Sequence, residues 1–230
     1  MSEHSSRLAR GHARKSDGPP RTRTPRQDRP DRLAQLLRQV RACRLCEAEL
    51  PLGARPVVQL AASARLLIVG QAPGSKVHES GTPWSDASGL RLRQWLQLDP
   101  AVFYDASRVA IMPMGLCYPG AGTGAGAGAG AGGGDRPPRP ECAPHWHQRL
   151  LAQLPRLRLT LLLGQYAQRY YLGPRRQGSL TETVRSYADY APQFFPLPHP
   201  SWRSAIWMRQ HPWFEAEVIP ALRAAVARLV

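Results

Sequence analysis

The chain has 230 residues and a formal net charge of +15, with 31 lysine and arginine residues against 16 aspartate and glutamate residues. This length suits one α/β domain with a substantial core and is too short for two full-sized domains. The excess of positive charge favours a polyanionic partner such as nucleic acid, although an arginine-rich composition also arises without a binding face. No apolar run is long enough for a membrane-spanning helix, so we expect a soluble, monomeric, cytoplasmic protein without a membrane partner.

The first 30 residues combine arginine with serine, glycine and proline, a composition that cannot bury enough apolar surface to fold. We therefore predict a disordered basic arm over residues 1–30 and one domain over residues 31–230. The arm either adds non-specific affinity for DNA or is a solvated tail without a role. It contains no apolar signal segment, which favours a reducing cytosol over export.

The predicted elements alternate between helices and strands, beginning with a helix over residues 32–49 that Asp31 caps. Short runs rich in leucine, isoleucine and valine predict buried strands, and apolar residues at helical spacing predict the later helices. The predicted strands are 64–69, 109–112, 157–163 and 194–197, and the later helices are 88–98, 165–172 and 213–230. This alternation predicts a three-layer αβα fold with a central, mostly parallel sheet of about four strands.

A turn rich in glycine follows the first predicted strand directly, at residues 70–74. The carboxyl ends of strands form the binding crevice in open α/β sheets, so the turn is a candidate site on topology alone. A second glycine-rich segment, the alternating Gly/Ala tract at 120–134, has no side chains to pack and predicts a flexible insertion.

Four cysteines occur in the chain, two as the C-x-x-C pair Cys43 and Cys46 and two at Cys117 and Cys142. A C-x-x-C pair offers two thiolates from one turn of backbone, and two thiols from distant loops can complete a tetrahedral set. A [4Fe–4S] cluster and a zinc ion both suit such a set, and the long interval from Cys117 to Cys142 favours the cluster. Two disulfides or unrelated buried thiols are the alternatives.

Several other residues with binding chemistry have structural interpretations as well. His145 and His147 are either additional metal ligands or surface histidines at a helix start. Tyr166, Tyr170 and Tyr171 fall at helical spacing, which is typical of core and rim positions.

The order of these motifs along the chain resembles the uracil-DNA glycosylase superfamily, in particular its iron–sulfur branch (family 4). The likeness extends from about residue 43 to residue 214. The motifs that carry it are the C-x-x-C pair, the turn Gly70-Gln71-Ala72-Pro73-Gly74, the segment Gly81-Thr82-Pro83-Trp84, Cys117, Pro140-Glu141-Cys142, and His199-Pro200-Ser201.

The resemblance implies a role for each of these motifs in extruding and cleaving a damaged nucleotide of DNA. Trp84 would stack on the flipped base, and His199 would donate to a base carbonyl as negative charge develops on it. The remaining implied base contacts are Gly70, Ala72, Pro73, Gly74 and Met114, and Gln71 would be the catalytic residue that places the water. Ser201, Trp202 and Arg203 would contact the DNA, with Trp202 filling the vacated stack. The four cysteines would hold a structural [4Fe–4S] cluster.

The chain departs from the family pattern at two places. Relatives carry a water-activating aspartate or glutamate where this chain has Ala72 or Gln71, so Gln71 can position water but cannot accept its proton, and His78 or Glu79 would have to supply that help. Met114 and its neighbours stand where relatives often offer an asparagine. We expect a glycosylase acting on uracil or a related deaminated base. The alternatives are a damaged-DNA-binding member that has lost catalysis and a metal-bearing nucleic-acid adaptor with no base pocket.

Overall fold

The structure is a computed structural model that describes residues 28–122 and 134–230. Most of the predicted disordered arm and most of the predicted Gly/Ala insertion lie outside these residues, while residues 28–30 of the arm belong to the first helix. The α-helices of the described residues are α1 (Asp28–Arg41), α2 (Ser75–Ser80), α3 (Ala87–Leu96), α4 (Pro100–Phe103), α5 (Cys142–Leu151), α6 (Gln165–Leu172), α7 (Leu180–Arg185), α8 (Trp202–Gln210) and α9 (Ile219–Ala227). The strands are β1 (Leu66–Val69), β2 (Val109–Ile111), β3 (Leu159–Leu163) and β4 (Phe194–Leu197).

The four strands form one sheet in the order β2-β1-β3-β4, and every neighbouring pair is parallel. Every strand residue is buried, as expected for a sheet covered by helices on both faces. The chain leaves β1 toward β2 on one side and later returns to β3 on the other side, so β1 and β3 flank the topological switch point. Ligand sites of open parallel sheets lie at this point, outside the carboxyl ends of the strands.

Alternate residues of β1 point into two separate cores. Leu67 and Val69 pack with residues of α1, α5 and α6, while Leu66 and Ile68 pack with residues of α3, α7 and α9. This alternation follows from the two-residue period of a strand. The predicted three-layer αβα fold is therefore confirmed.

The ends of two helices differ from the sequence-based expectation. The first helix begins at Asp28, so Asp31 lies within it rather than at its cap, and it ends at Arg41, before both cysteines of the C-x-x-C pair. The predicted C-terminal helix divides into a π-helical turn at Phe214–Val218 and the α-helix α9. Pro220, the second residue of α9, has no N–H group with which to continue an α-helical ladder from the preceding turn.

The ends of the predicted insertion meet in the structure. Ala121 pairs with Asp135 in an antiparallel bridge, and the N–H of Arg136 donates to the carbonyl of Gly120 at 2.8 Å. These contacts fix the position of Asp135 beside the glycine-rich turn, as described below. None of the described helices combines the length and apolar character needed to cross a membrane.

Candidate functional site

A cavity of about 480 Å³ lies at the carboxyl ends of the strands. All five residues of the turn 70–74, which follows β1, line it. Pro113 contributes from the segment after β2, Gln165 from the start of α6 after β3, and His199 from the segment after β4. The cavity therefore occupies the crevice that the sheet topology predicts, and its volume is typical of a site for a small molecule or a single nucleotide base.

The backbone of the turn is held from the side of β2. The carbonyls of Gly70 and Gln71 accept hydrogen bonds from the N–H groups of Met114 and Gly115, each at 2.9 Å. Met114 itself lies in the hydrophobic core, whereas its neighbour Pro113 lines the cavity. The prediction that Met114 contacts the base is therefore wrong. Successive side chains of this segment point in opposite directions, so Pro113 faces the cavity and Met114 faces the core.

Trp84 forms one wall of the cavity and has a strained backbone. Its φ of 57° lies in the left-handed region, which costs about 1–3 kcal/mol for a bulky residue and requires support from its surroundings. The carbonyl of Trp84 accepts hydrogen bonds from Arg93 Nη1 at 3.2 Å and from the Tyr104 hydroxyl at 3.1 Å. A Cβ added to Gly70 would lie 2.7 Å from the indole, so the ring packs directly on the glycine-rich turn. The indole is therefore fixed in place before any ligand binds.

His199 lies opposite Trp84, with their ring centroids 5.7 Å apart and their planes inclined by 34°. Burial lowers the pKa of His199 to about 4, and the nearby Asp86 carboxylate offsets part of this shift. The imidazole is neutral at physiological pH, so it carries one N–H donor rather than a full charge. A planar ligand stacked on Trp84 would present its edge to this donor.

The segment after His199 connects the cavity to the protein surface. Ser201, Trp202 and Arg203 all line the cavity, and α8 begins at Trp202. The Trp202 side chain is 56% exposed, and the Arg203 guanidinium lies over its ring at 4.9 Å from the centroid. Arg91 donates to the Ser201 carbonyl and thereby links this segment to α3. An exposed tryptophan and an arginine thus stand together at the cavity mouth.

Gln71 lines the cavity, and its side-chain amide also binds a part of the chain that is distant in sequence. Its Nε2 donates to the carbonyl of Arg136 at 3.0 Å. His78 and Glu79, the proposed substitutes for a water-activating group, belong to α2 and are not among the residues that line the cavity. Among the described residues, the carboxylates that line the cavity come from other segments than the turn 70–74 and α2.

Sequence reasoning missed two carboxylates that line the cavity, Asp86 and Asp135. Asp86 caps α3, where its Oδ1 accepts a hydrogen bond from the N–H of Gly89 at 2.9 Å. A Cβ added to Gly74 would lie 3.4 Å from Asp135 Oδ2 and 4.0 Å from Asp86 Oδ2, so both carboxylates approach the turn. The aspartate three residues before Gly89 is a recognisable cap signal, whereas no local pattern marks Asp135.

The four cysteines gather around a second, smaller cavity with apolar walls that include Leu116 and Trp146; the cysteines are Cys43, Cys46, Cys117 and Cys142. The N–H of Leu116 donates to the Sγ of Cys142 at 3.3 Å, a bond that favours the thiolate form of a ligand. Burial, with a smaller contribution from the neighbouring cysteines, raises the pKa of Cys117 and of Cys142 to about 12. Among the described residues, no group of three or more His, Cys, Asp or Glu side chains has the arrangement of a ready-formed metal site.

His147 makes structural contacts that occupy both of its ring nitrogens. Nε2 lies 3.1 Å from the Pro113 carbonyl, which only accepts, so Nε2 carries the proton, and Nδ1 accepts from the Tyr171 hydroxyl at 2.7 Å. The side chain is fully buried, and burial lowers its pKa to about 4. His147 therefore anchors the segment after β2 to α5 and has no free nitrogen for a metal, while His145 is exposed on the same helix.

The fold and the cavity define an α/β protein with a binding crevice at the switch point of a parallel sheet, walled by a fixed tryptophan and a neutral histidine. Residues 57–223 match the family model of the Uracil DNA glycosylase superfamily. The match spans well over half of the 230 residues, so the chain belongs to this superfamily. Cys43 and Cys46 precede the matched region, while Cys117 and Cys142 lie within it.

Proposed function

We propose that this protein is a DNA-repair glycosylase that hydrolyses the N-glycosidic bond of uracil or a related deaminated base. The observation that carries the proposal is the contact of Trp84 with His199 in the cavity wall, at 5.7 Å between ring centroids, which places a flat apolar face beside a hydrogen-bond donor. A target base must leave the duplex before an enzyme can reach its glycosidic bond. The cavity would accept the extruded base with its face on Trp84 and a carbonyl edge at His199.

The chemistry of the bond cleavage suits a neutral histidine. Breaking the bond leaves positive charge on the sugar and a uracil anion whose charge is shared with its O2 carbonyl. A donor fixed beside the developing oxyanion contributes roughly 3–4 kcal/mol to the lowering of such a barrier. His199 meets this requirement because its pKa of about 4 keeps it a neutral N–H donor, and because Gly164 packs closely behind it, where an added Cβ would lie 3.3 Å from the His199 Cβ.

We propose DNA as the macromolecular partner, bound at the mouth of the cavity. Trp202 at 56% exposure and Ile206 at 46% exposure lie one helical turn apart on α8, beside Arg203. An apolar wedge of this kind fills the gap that an extruded nucleotide leaves, and an arginine beside it can bind phosphate. The net charge of +15 supports association with a polyanion that weakens as salt increases.

We further propose that the four cysteines bind a structural [4Fe–4S] cluster, with zinc as the alternative. Their thiols suit either group, because all four border one small apolar cavity and the Leu116 N–H is directed at a sulfur. A bound cluster would supply a rigid cross-link among the segments that carry Cys43, Cys46, Cys117 and Cys142. Anaerobically purified protein should be brown with broad absorbance in the visible blue, whereas colourless protein with stoichiometric zinc would contradict the cluster.

The activity is tested with a duplex that contains a single uracil, followed by alkali, which cleaves the strand at an abasic site. We expect the wild-type protein to yield strand cleavage and His199→Ala to lose it by about 10²–10³-fold, the usual effect of removing one oxyanion donor. His211→Ala is a matched control, because His211 contacts Trp207 and Trp213 away from the cavity. Tight binding without cleavage by the wild type would instead indicate a binding protein, which the missing carboxylate in the turn 70–74 favours.

A further inference from the structure

The turn that follows β1 has no carboxylate, yet the structure provides one from another part of the chain. Asp135 lies 61 positions after Gly74 in sequence, but its Oδ2 would be only 3.4 Å from a Cβ added to Gly74. The residue as a whole is exposed, while its carboxylate faces the cavity. The cavity wall formed by Gly74 therefore contacts a potential proton acceptor.

One hydrogen bond ties the segment that carries Asp135 to the turn, and a second set ties it to residues 120 and 121. Gln71 Nε2 donates to the Arg136 carbonyl at 3.0 Å, so the residue directly after Asp135 is tied to the turn itself. On the other side, the N–H of Arg136 donates to the Gly120 carbonyl at 2.8 Å, and Asp135 is in an antiparallel bridge with Ala121. Asp135 is thus placed by the backbone contacts of its own segment and by the Gln71 side chain.

We propose that Asp135 is the general base that activates the hydrolytic water. Gln71 is a positioning residue that holds Asp135 in place. This inference rests on the proposed glycosylase activity. In the step, the bond between sugar C1′ and base nitrogen breaks, and its electron pair leaves with the base. The water oxygen bonds to C1′, one water proton passes to the Asp135 carboxylate, and the base anion finally takes up a proton. The net change is the addition of one water across the glycosidic bond.

Asp86 also lines the cavity, but its geometry is less suited to the role of general base. Its Oδ1 accepts the hydrogen bond that caps α3, so part of its capacity to accept a proton is already used. Partial burial of the carboxyl group raises the pKa of Asp135, and the negative charge of Asp86 raises it further. A raised pKa makes the ionised form a stronger base, so Asp86 assists Asp135 by its charge.

Several titratable or charged groups surround Asp135 and influence how the rate of base release depends on pH. These groups are Asp86 on the cap of α3, His199 after β4, Tyr118 after β2, Arg136 next in sequence, and Arg203 on α8 beside Gly134. Asp135 must be ionised to accept a proton, so the rate of base release should rise as pH increases through the raised pKa of Asp135. Removing the charge of Asp86 removes one cause of that rise in pKa and should shift the rising limb to lower pH.

The test is single-turnover release of base from a single-uracil duplex, with the full-length protein in excess over DNA and pH varied from acid to mildly alkaline. Asp135→Asn should lower the maximal rate by about 10²–10⁴-fold, the range for general-base help, while the dissociation constant for DNA stays unchanged. Asp86→Asn should retain a rising limb at lower pH. Asp189→Asn is the control, because Asp189 is exposed and does not line the cavity.

Asp135→Glu keeps a carboxylate but moves it, so the maximal rate should fall and the midpoint of the rising limb should shift. This variant is the test if Asp135→Asn does not fold, since a rate and a midpoint equal to those of the wild type would mean that another group titrates. A rate for Asp135→Asn within a few-fold of the wild type would overturn the assignment, as would loss of the limb in Asp86→Asn but not in Asp135→Asn. A wild-type protein that binds the duplex and releases no base would overturn the glycosylase activity itself, and the inference with it. The two failures are therefore distinguishable.

Discussion

The two walls of the cavity differ in where they come from along the chain. The strand-end wall, made of the turn 70–74 and His199, directly follows β1 and β4 of the buried sheet. The connection wall, made of Pro113, Gly134 and Asp135, belongs to the long link between β2 and α5. The strand-end wall holds the groups proposed to bind and polarise the base, and the connection wall holds the carboxylate proposed to activate water. Rigid elements fix the first wall, whereas specific side-chain and backbone bonds hold the second.

The connection wall should be sensitive to acid, because His147 anchors its first residue, Pro113, while buried in the neutral form. Burial lowers its pKa from an ordinary 6.5 to about 4 in the folded protein, so the unfolded chain takes up the proton first. The stabilisation is complete above about pH 6.5 and is lost as pH falls toward 4, by up to about 3 kcal/mol. Urea unfolding at neutral and acid pH should show a weaker pH dependence for His147→Gln than for the wild type.

His145→Gln is the matched control for this measurement, since His145 is on the same helix and exposed. Its unfolding free energy should keep the wild-type dependence on pH. Equal pH dependence in the two variants would mean that the neutral His147 does not stabilise the connection wall.

The strand-end wall should be more sensitive to added volume than the connection wall. Gly70→Ala adds a Cβ 2.7 Å from the Trp84 indole, so the ring must shift, and misplacement of about 1 Å can cost 10²-fold in rate. Gly134→Ala adds a Cβ 3.2 Å from Arg203 Nη1 at the end of a long side chain, where a shift of a few tenths of an ångström relieves the contact. Single-turnover base release should fall about 10²-fold in the first variant and change little in the second. Equal rates would contradict a fixed position for Trp84.

Loss of the hydrogen bond from Gln71 to the segment of Asp135 should have the smallest effect on the rate of base release. Gln71→Ala removes one hydrogen bond to the Arg136 carbonyl, and a bond of this kind contributes about 0.5–1.5 kcal/mol. We expect base release to slow by up to about tenfold, with an unchanged dissociation constant for DNA. Gln94→Ala, on the exposed face of α3, controls for a general effect of losing a glutamine. A loss as large as that of Asp135→Asn would instead indicate that Gln71 itself acts on the water.

The same division explains how much could be predicted from the sequence. The sheet was predictable because its strands are short, almost wholly apolar runs. The bounds of β4 and α6 agree with expectation, and β1 and β3 each begin two residues later. Trp84 and His199 were found because they lie in motifs with a family resemblance. The short helices α2, α4 and α7 were not predicted, since they are four to six residues long and too short to show a helical period. The longer helices α5 and α8, of ten and nine residues, were also absent from the predicted elements.

The carboxylates were not predictable in the same way. Asp135 reaches the turn only through backbone pairing across the Gly/Ala tract and through the bond from Gln71, and neither contact leaves a local pattern. The prediction for Met114 was wrong in the opposite sense. Its position in the sequence suggested the pocket, but the alternation of side chains along the segment directs it into the core. Contacts between residues far apart in sequence thus decided the part of the site that sequence reasoning missed.

The measurement that tests the central claim most directly is detection of the free base. The wild-type protein is incubated with a duplex that contains one uracil, and the small molecules are separated from DNA by chromatography. We predict one free uracil for each abasic site formed, and none above background with His199→Ala. Intact uracil-containing DNA held in a stable complex, with no free base under any condition, would contradict the account.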